Sequence, residues 1–264
     1  MSTRTSRPDG AAYRRLAAVY DVVHRSKPYG AEARAVRAIV RRVARRPCRS
    51  LLDVACGSGR HLEWFSKWFD CVGVDASPEM LALARRRVPG AEFFAGRMES
   101  FRLDRAFDIV TCLFSAIGYA RSHAELRRIV TNLAHHTAPG GVVVIEPWLA
   151  PSDFRSGDVH CRVARDERTT VLRMNDSRRV RGRSVFDFHY LLGRNGTVEH
   201  EVERHDLGLF SRATTIAALR SAGLQPRYFR RGLSTGRGLY VALRVEGRPR
   251  GGATSVRARR PAGR

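Results

Sequence analysis

The sequence is poor in lysine, in paired cysteines and in long apolar runs, and each shortage removes a class of function. No 18 apolar residues follow one another, so no transmembrane helix is expected. The opening MSTRTSRPDG has no apolar segment, so no secretory signal is expected either. Five cysteines stand at 48, 56, 71, 112 and 161. Their number is odd and no Cys-x-x-Cys pair occurs, which argues against a disulfide framework or zinc ribbon and points to a reducing cytoplasm. No His, Cys, Asp or Glu cluster has metal-ligand spacing, so no metal is expected. A Gly-x-Gly-x-x-Gly dinucleotide fingerprint would need glycine where Leu62 stands, and no Gly-Lys-Ser/Thr run marks a P-loop. Ser58 lies in Gly-Ser-Gly before a helix and not in the Gly-x-Ser-x-Gly elbow of a hydrolase.

Lysine occurs only at Lys27 and Lys67, so the formal charge of +23, from 48 basic and 25 acidic residues, is almost all arginine. A surplus of that size suggests an anionic partner. The arginines are spread along the whole chain, however, and a codon bias toward arginine explains that spread without a nucleic-acid surface. At 264 residues, 43% hydrophobic and 28% charged, the chain suits one globular α/β domain with an insertion.

Periodicity divides it. Residues 1–10 read as flexible, and two helical stretches run from Ala11 to Val43. Leu16, Val19, Tyr20 and Val23 share one face; Val36, Ile39, Val40 and Val43 share another. Short apolar strands then alternate with helices. Strands are expected at Ser50–Val54, Cys71–Val74, Ala91–Ala95, Phe107–Leu113 and Gly141–Glu146. Helices are expected at His61–Phe69, after Ser77-Pro78, and through Leu126–Leu133 to near Pro139-Gly140. That alternation implies a parallel sheet with helices on both faces. After Trp148 come four strands without helices, Val159–Val163, Thr169–Met174, Val185–Leu192 and Thr197–Leu209, which form an antiparallel insertion. A helix, Ser211–Ala222, and strands Pro226–Arg230 and Leu239–Val245 complete the sheet. The expected units are 1–149 (helices and α/β core), 150–209 (β lid), 210–246 (the rest of the core) and 247–264 (a disordered basic tail).

The most informative segment is LLDVACGSGRHLEWF, residues 51–65. A buried strand runs into Gly57-Ser58-Gly59 and a helix, where glycines let the backbone approach a ligand. Asp53, just before the turn, would repel a pyrophosphate and suits a cationic ligand. Asp75 closes the second strand, and an acid about 20 residues after such a turn accepts both hydroxyls of a ribose.

This pattern resembles the first motif of the class I S-adenosylmethionine (SAM) methyltransferases, with Ala55 in place of the first glycine. The resemblance implies a Rossmann-like α/β sheet and SAM as cofactor. It places Asp53 near the methionine ammonium, Asp75 on the ribose, and Ala55, Gly57, Gly59, Ala76 and Phe114 around the cofactor. Arg97 stands where many such enzymes carry an acid for the adenine amino group. An arginine cannot accept that bond, so Met98 is left to cover the ring and to offer its backbone N–H.

Three segments, Ala18–His24 (AVYDVVH), Phe114–Tyr119 (FSAIGY) and Glu146-Pro147-Trp148, with Ser234–Tyr240 (STGRGLY) as a fourth, resemble a narrower family: N,N-dimethyltransferases of nucleotide-linked (dTDP) amino-deoxysugars. The likeness runs from about Ala17 to Leu243. It implies an acceptor amine between Tyr20 and Tyr119, with Tyr119 positioning it and available as a base. Arg237, between two glycines, offers a guanidinium fork to a diphosphate, with Tyr29 and Ser177 as weaker candidates. Trp148 would pack on the sugar or base. Each of these aromatics also reads as a core residue, and His189 and His205 read as structural.

The expected partners are a nucleotide-diphosphate amino sugar or another small-molecule acceptor, without nucleic acid or membrane. The oligomeric state stays open, a homodimer included. Two other readings remain: a SAM-dependent methyltransferase of another small molecule or RNA, and a SAM-binding scaffold without catalysis.

Overall fold

The computed structural model describes residues 5, 6, 17 and 19–245. The expectations for Leu16, for most of 1–10 and for the tail 247–264 lie outside the described residues.

Seven strands form the central sheet, in the spatial order β4 (Glu92–Ala95), β3 (Asp70–Asp75), β2 (Ser50–Val54), β5 (Phe107–Cys112), β6 (Thr137–Ile145), β12 (Leu239–Arg244) and β11 (Leu224–Phe229). The strands from β4 to β6 pair in parallel, and β12 runs opposite to both of its neighbours. Strands such as SLLDV and GVVVI are apolar at successive positions because helices cover both faces. On one face Leu52, Val110 and Val143 pack under α4 (His123–His135) and α5 (Arg212–Ser221). On the other, Leu51, Ile109 and Val142 pack under α1 (Tyr29–Val43), α2 (Leu62–Phe65) and α3 (Pro78–Arg87). Adjacent residues of one strand thus serve opposite cores, as the two-residue period of a strand requires. Helix starts follow the expected chemistry: Pro78 opens α3, and the Ser77, Ser122 and Ser211 hydroxyls accept from Met80, Glu125 and Thr214 N–H.

Several boundaries differ from the sequence reading. The helix expected over His61–Phe69 closes after Phe65. Lys67 and Trp68 N–H then bond to carbonyls three residues back, a tighter winding that turns the chain into β3. Pro139-Gly140 does not end a helix. It lies inside β6, where pairing slips from Phe107–Thr137 to Ile109–Val142, a bulge that Gly140 with φ of 76° accommodates.

The insertion is antiparallel, made of β7 (Val159–Arg165), β8 (Thr170–Val180), β9 (Arg183–Arg194) and β10 (Thr197–Gly208). Its strands outrun the predicted ones because Arg181-Gly182 and Asn195-Gly196 make two-residue turns with positive φ at both positions. That geometry matches the strand twist, so pairing continues up to the turn. Thr5 and Ser6, expected to be flexible, form a two-residue strand (β1) beside Val202 and Glu203. They cover part of the edge that β10 would otherwise leave open.

Residues 19–23 are helical and join the two sheets. Val19 and Val23 pack on Val171, Tyr190 and Leu192 of the lid, and Arg162 donates to the Val23 carbonyl at 3.0 Å. A second joint is Glu32, 3% exposed, which accepts from Lys27 Nζ, from the Ser234 hydroxyl and N–H, and contacts His61 Nε2 at 2.8 Å. It fastens α1 to the end of the glycine turn and to the loop before β12. Burial works against its charge, but the bonds from His61, Lys27 and Ser234 outweigh burial and hold its carboxyl down at about 2. Because the folded-state value lies below the unfolded one of about 4.3, Glu32 stabilises the fold above that pH and loses its contribution as pH falls toward 2. Glu32→Gln should cost about 2–4 kcal/mol at neutral pH by leaving Lys27 buried without a counter-charge. In urea unfolding the gap between variant and parent should close between pH 4.5 and 2; a gap that persists there would place the stability elsewhere.

Candidate active site

At the carboxyl ends of the parallel strands, beneath the lid, a cleft of about 1790 Å³ opens. It exceeds the roughly 300–1,000 Å³ usual for one small ligand, so two ligands fit side by side. The turn after β2 brings Ala55 and Gly57 to it, and the ends of β3, β5 and β6 bring Asp75 and Ala76, Phe114, and Trp148. The loop after β4 supplies Met98, the helical turn 116–119 supplies Tyr119, and the lid supplies Ser177 and His205. Tyr20 and Arg237 reach it from the N-terminal helix and the loop before β12.

Most of the site residues expected from sequence therefore meet in one cleft. Asp53 and Tyr29 line an adjoining recess of about 40 Å³ that shares Tyr20, Ala55, Gly57 and Phe114 with the cleft. Gly59 faces neither: a Cβ there would sit 3.1 Å from the Cβ of Ala84, so this glycine lets α3 pack against the turn. Gly57 differs, since a Cβ on it would meet nothing within 4 Å.

One half of the cleft is a cradle of backbone and carboxylates. Asp75 accepts from Gly57 N–H and Ser77 N–H, each at 2.8 Å, so it shapes the turn and keeps further lone pairs toward the cleft. Burial raises its pKa, while the backbone donors Ser77, Gly57 and Ala76 work the other way. Asp53 is 3% exposed and accepts from Thr111 Oγ1 at 2.6 Å. Burial pushes its carboxyl up to about 6, opposed by His61 and the Thr111 bond. A buried carboxylate so placed gains from an arriving ammonium. Ala55, at the position of the family's first glycine, adopts φ of 59°, a left-handed conformation that costs a residue with a Cβ of order 1 kcal/mol. Arg97 Nε donates to Glu99 Oε1 at 2.6 Å on the rim of the cleft.

The other half is aromatic and cationic. Tyr20, His24 and Phe114 form a wall, with centroids 4.5 Å apart for the first pair and 5.0 Å for the second. Burial lowers the pKa of His24 to about 3, helped by Arg173, Arg162, Lys27 and Arg60, so its ring is neutral. Arg237 Nη1 donates to Ser115 Oγ at 2.9 Å, and its guanidinium lies 4.1 Å above the Trp148 ring. Burial lowers its pKa, partly offset by Glu146. Among the described residues no carboxylate lies within ion-pair distance of Arg237, and the buried Trp148 Nε1 has no hydrogen-bond partner. Phe114 and Ser115 both adopt positive φ, 51° and 64°. Glu146, wholly buried, holds them there by accepting from Phe114 N–H at 2.7 Å, while Ser115 Oγ donates to the Pro147 carbonyl.

Sequence reasoning assigned no role to three residues of this site. Glu146 stood in a quoted motif without a task, and His24 lay one helical turn after Tyr20. His205, read as structural, contacts the Tyr119 hydroxyl through Nδ1 at 2.9 Å. Only His24 had a local signal, its i+4 spacing from Tyr20. Among the described residues no group of three or more His, Cys, Asp or Glu side chains could hold a metal, and no helix is long and apolar enough to cross a membrane.

The strand order, read from β2 as the first core strand, is 3-2-1-4-5-7-6, and with the acidic glycine turn it defines a class I SAM-dependent methyltransferase. A family model described as a methyltransferase domain matches residues 51–141. A dTDP-3-amino-3,4,6-trideoxy-alpha-D-glucopyranose N,N-dimethyltransferase of Streptomyces venezuelae is 42% identical over 230 residues, spanning 85% of this chain and 96% of the relative. The sugar N-methyltransferase KedS8 of Streptoalloteichus has a TM-score of 0.82 at 37% identity, covering 93% of this chain and 99% of that one. SAM-bound CalS10, an amino pentose methyltransferase from Micromonospora echinaspora, has a TM-score of 0.78 at 36% identity, covering 93% and 100%. The chain belongs to the dTDP-amino-sugar N,N-dimethyltransferase family of SAM-dependent enzymes.

Asp75→Ala should raise the SAM dissociation constant tenfold or more, since a charge-assisted bond is worth about 1.5–3 kcal/mol; calorimetry with unchanged affinity would remove Asp75 from the ribose. SAM affinity should weaken as pH falls through about 6, where Asp53 takes up its proton, and Asp53→Asn should flatten that limb.

Proposed function

We propose that this protein transfers methyl groups from SAM to the amino group of a dTDP-linked amino-deoxysugar, twice in succession, during assembly of a natural product. The observation that carries this reading is the aromatic half of the cleft: a half-buried guanidinium with no carboxylate at ion-pair distance among the described residues, beside a buried indole N–H that has no hydrogen-bond partner. Both donors suit the oxygens of a diphosphate or a sugar. The full-length similarity to dTDP-amino-sugar enzymes supports the same choice.

SAM, when bound, supplies a methyl group on a sulfonium, already a good leaving group, so the chain mostly aligns and desolvates. Asp75 and the Gly57 turn would hold the ribose side, and Asp53 would meet the ammonium. Arg237, Trp148 and Ser177 would hold the nucleotide-sugar. The wall of Tyr20, His24 and Phe114 keeps water from the amine, which favours its neutral, nucleophilic form. Tyr119 Oη would accept a hydrogen from the amine and direct its lone pair.

Mass spectrometry with labelled SAM and a panel of dTDP-amino-sugars should show one and then two added methyl groups; no transfer to any member of the panel would exclude the acceptor class. Arg237→Ala should raise KM for the nucleotide-sugar about tenfold or more while SAM affinity holds. An unchanged KM would take Arg237 out of the diphosphate site.

A further inference from the structure

The lid places a histidine behind the residue expected to face the amine. His205 is 7% exposed and is caged by Phe186 (stacked, 5.1 Å) and Phe188 (edge-on, 4.8 Å). Its Nδ1 lies 2.9 Å from Tyr119 Oη, and its Nε2 lies 3.2 Å from Oε1 of Glu203, which is 3% exposed. The other Glu203 oxygen accepts from Tyr190 Oη at 3.0 Å. A chain of polar groups thus runs from the cleft surface into the lid: Tyr119, His205, Glu203, Tyr190. Every member after Tyr119 is buried, and the chain is hydrogen-bonded at its two ends, while His205 Nε2 and Glu203 Oε1 lie at ion-pair distance without hydrogen-bond alignment. A lid needing only apolar packing would not carry it.

We propose that His205 is the proton acceptor for methyl transfer, acting through Tyr119. This rests on the amine-acceptor reading above. The neutral imidazole carries its proton on Nε2, toward Glu203, and accepts the Tyr119 hydroxyl on Nδ1. As the amine nitrogen forms its bond to the methyl carbon, the carbon–sulfur bond breaks and the electron pair stays on sulfur. One N–H proton passes from nitrogen to Tyr119 Oη while the tyrosine's own proton passes to His205 Nδ1. The product is a neutral methylated amine, and the imidazolium formed faces the Glu203 carboxylate until solvent takes its proton. The same exchange serves the second methylation. Among the described residues the charged groups around the ring are Glu203 and Asp206 of its own strand and Arg173, which lies over Phe188. Arg183 lies 3.2 Å from Asp206, and among the described residues Glu203 is the carboxylate at ion-pair distance from the ring.

His205→Asn tests this, because the amide oxygen can keep the bond to Tyr119 but cannot take a proton. It should lower kcat about a hundredfold with KM and SAM affinity little changed. It should also abolish the acid limb of the kcat–pH profile, and in a Tyr119→Phe background it should add no further loss. Glu203→Gln should move that limb to lower pH, because the imidazolium loses its counter-charge. A His205→Asn enzyme with kcat within about twofold and the limb intact would overturn the proposal. Nitrogen-15 spectra of the histidines in wild-type enzyme, without acceptor, give an answer that does not depend on the substrate. An unprotonated His205 Nδ1 whose shift moves in Tyr119→Phe supports the relay, and a protonated Nδ1 overturns it. If the wild type methylates no amino-sugar, the acceptor reading fails and the spectra still decide the relay.

Discussion

The active site depends on one buried carboxylate. Glu146 directly follows β6, beside the central strand β5, and its backbone N–H bonds to the Cys112 carbonyl of β5. One side-chain oxygen accepts the Phe114 N–H, which holds two successive residues in the left-handed conformation. The other accepts Thr235 Oγ1, which ties down the loop bearing Arg237. Three segments distant in sequence meet on this side chain. Without it Phe114 and Ser115 would relax to ordinary backbone, and the platform for Tyr119, Trp148 and Arg237 would go with them. Such strain persists only where surrounding bonds over-determine it.

The arginine surplus looks different once its partners are known. Arg87 holds Asp21 and the Ser58 carbonyl, joining α3 to the N-terminal helix and the glycine turn. Arg244 caps the α4–β6 junction through carbonyls of Ala134, His135 and Thr137. Arg204 grips Asp187 with two bonds of 2.7 Å, and Arg37 lies over Trp68 at 4.7 Å. A planar fork does this work where a lysine could not. Part of the charge that suggests a nucleic acid is therefore engaged in the structure, and Arg237 sits in the cleft against Trp148.

Much of the core was legible in sequence because its elements advertise themselves locally. SLLDV and GVVVI are continuous apolar runs only where a sheet is covered on both faces, and Ser77-Pro78 is a helix start by cap chemistry alone. Asp53, Ala55, Gly57 and Asp75 could be named because the strand–turn–helix unit places them within some 20 residues. The bulge at Pro139-Gly140 and the early end of α2 were not legible, since each answers to the pairing of a neighbouring strand.

By itself, then, the sequence determined the strand rhythm, the glycine turn with its acids and the existence of an antiparallel insertion, since each is written in contiguous residues. Only the tertiary structure decided that Glu146 clamps the loops after β5 and before β12, that Gly59 serves packing, and that His205 stands behind Tyr119. Those facts join residues far apart in the chain, at separations of 25 to 89, and no local propensity encodes which distant side chain will arrive. Their cause is burial: a polar atom taken from water must find a partner wherever the folded chain supplies one.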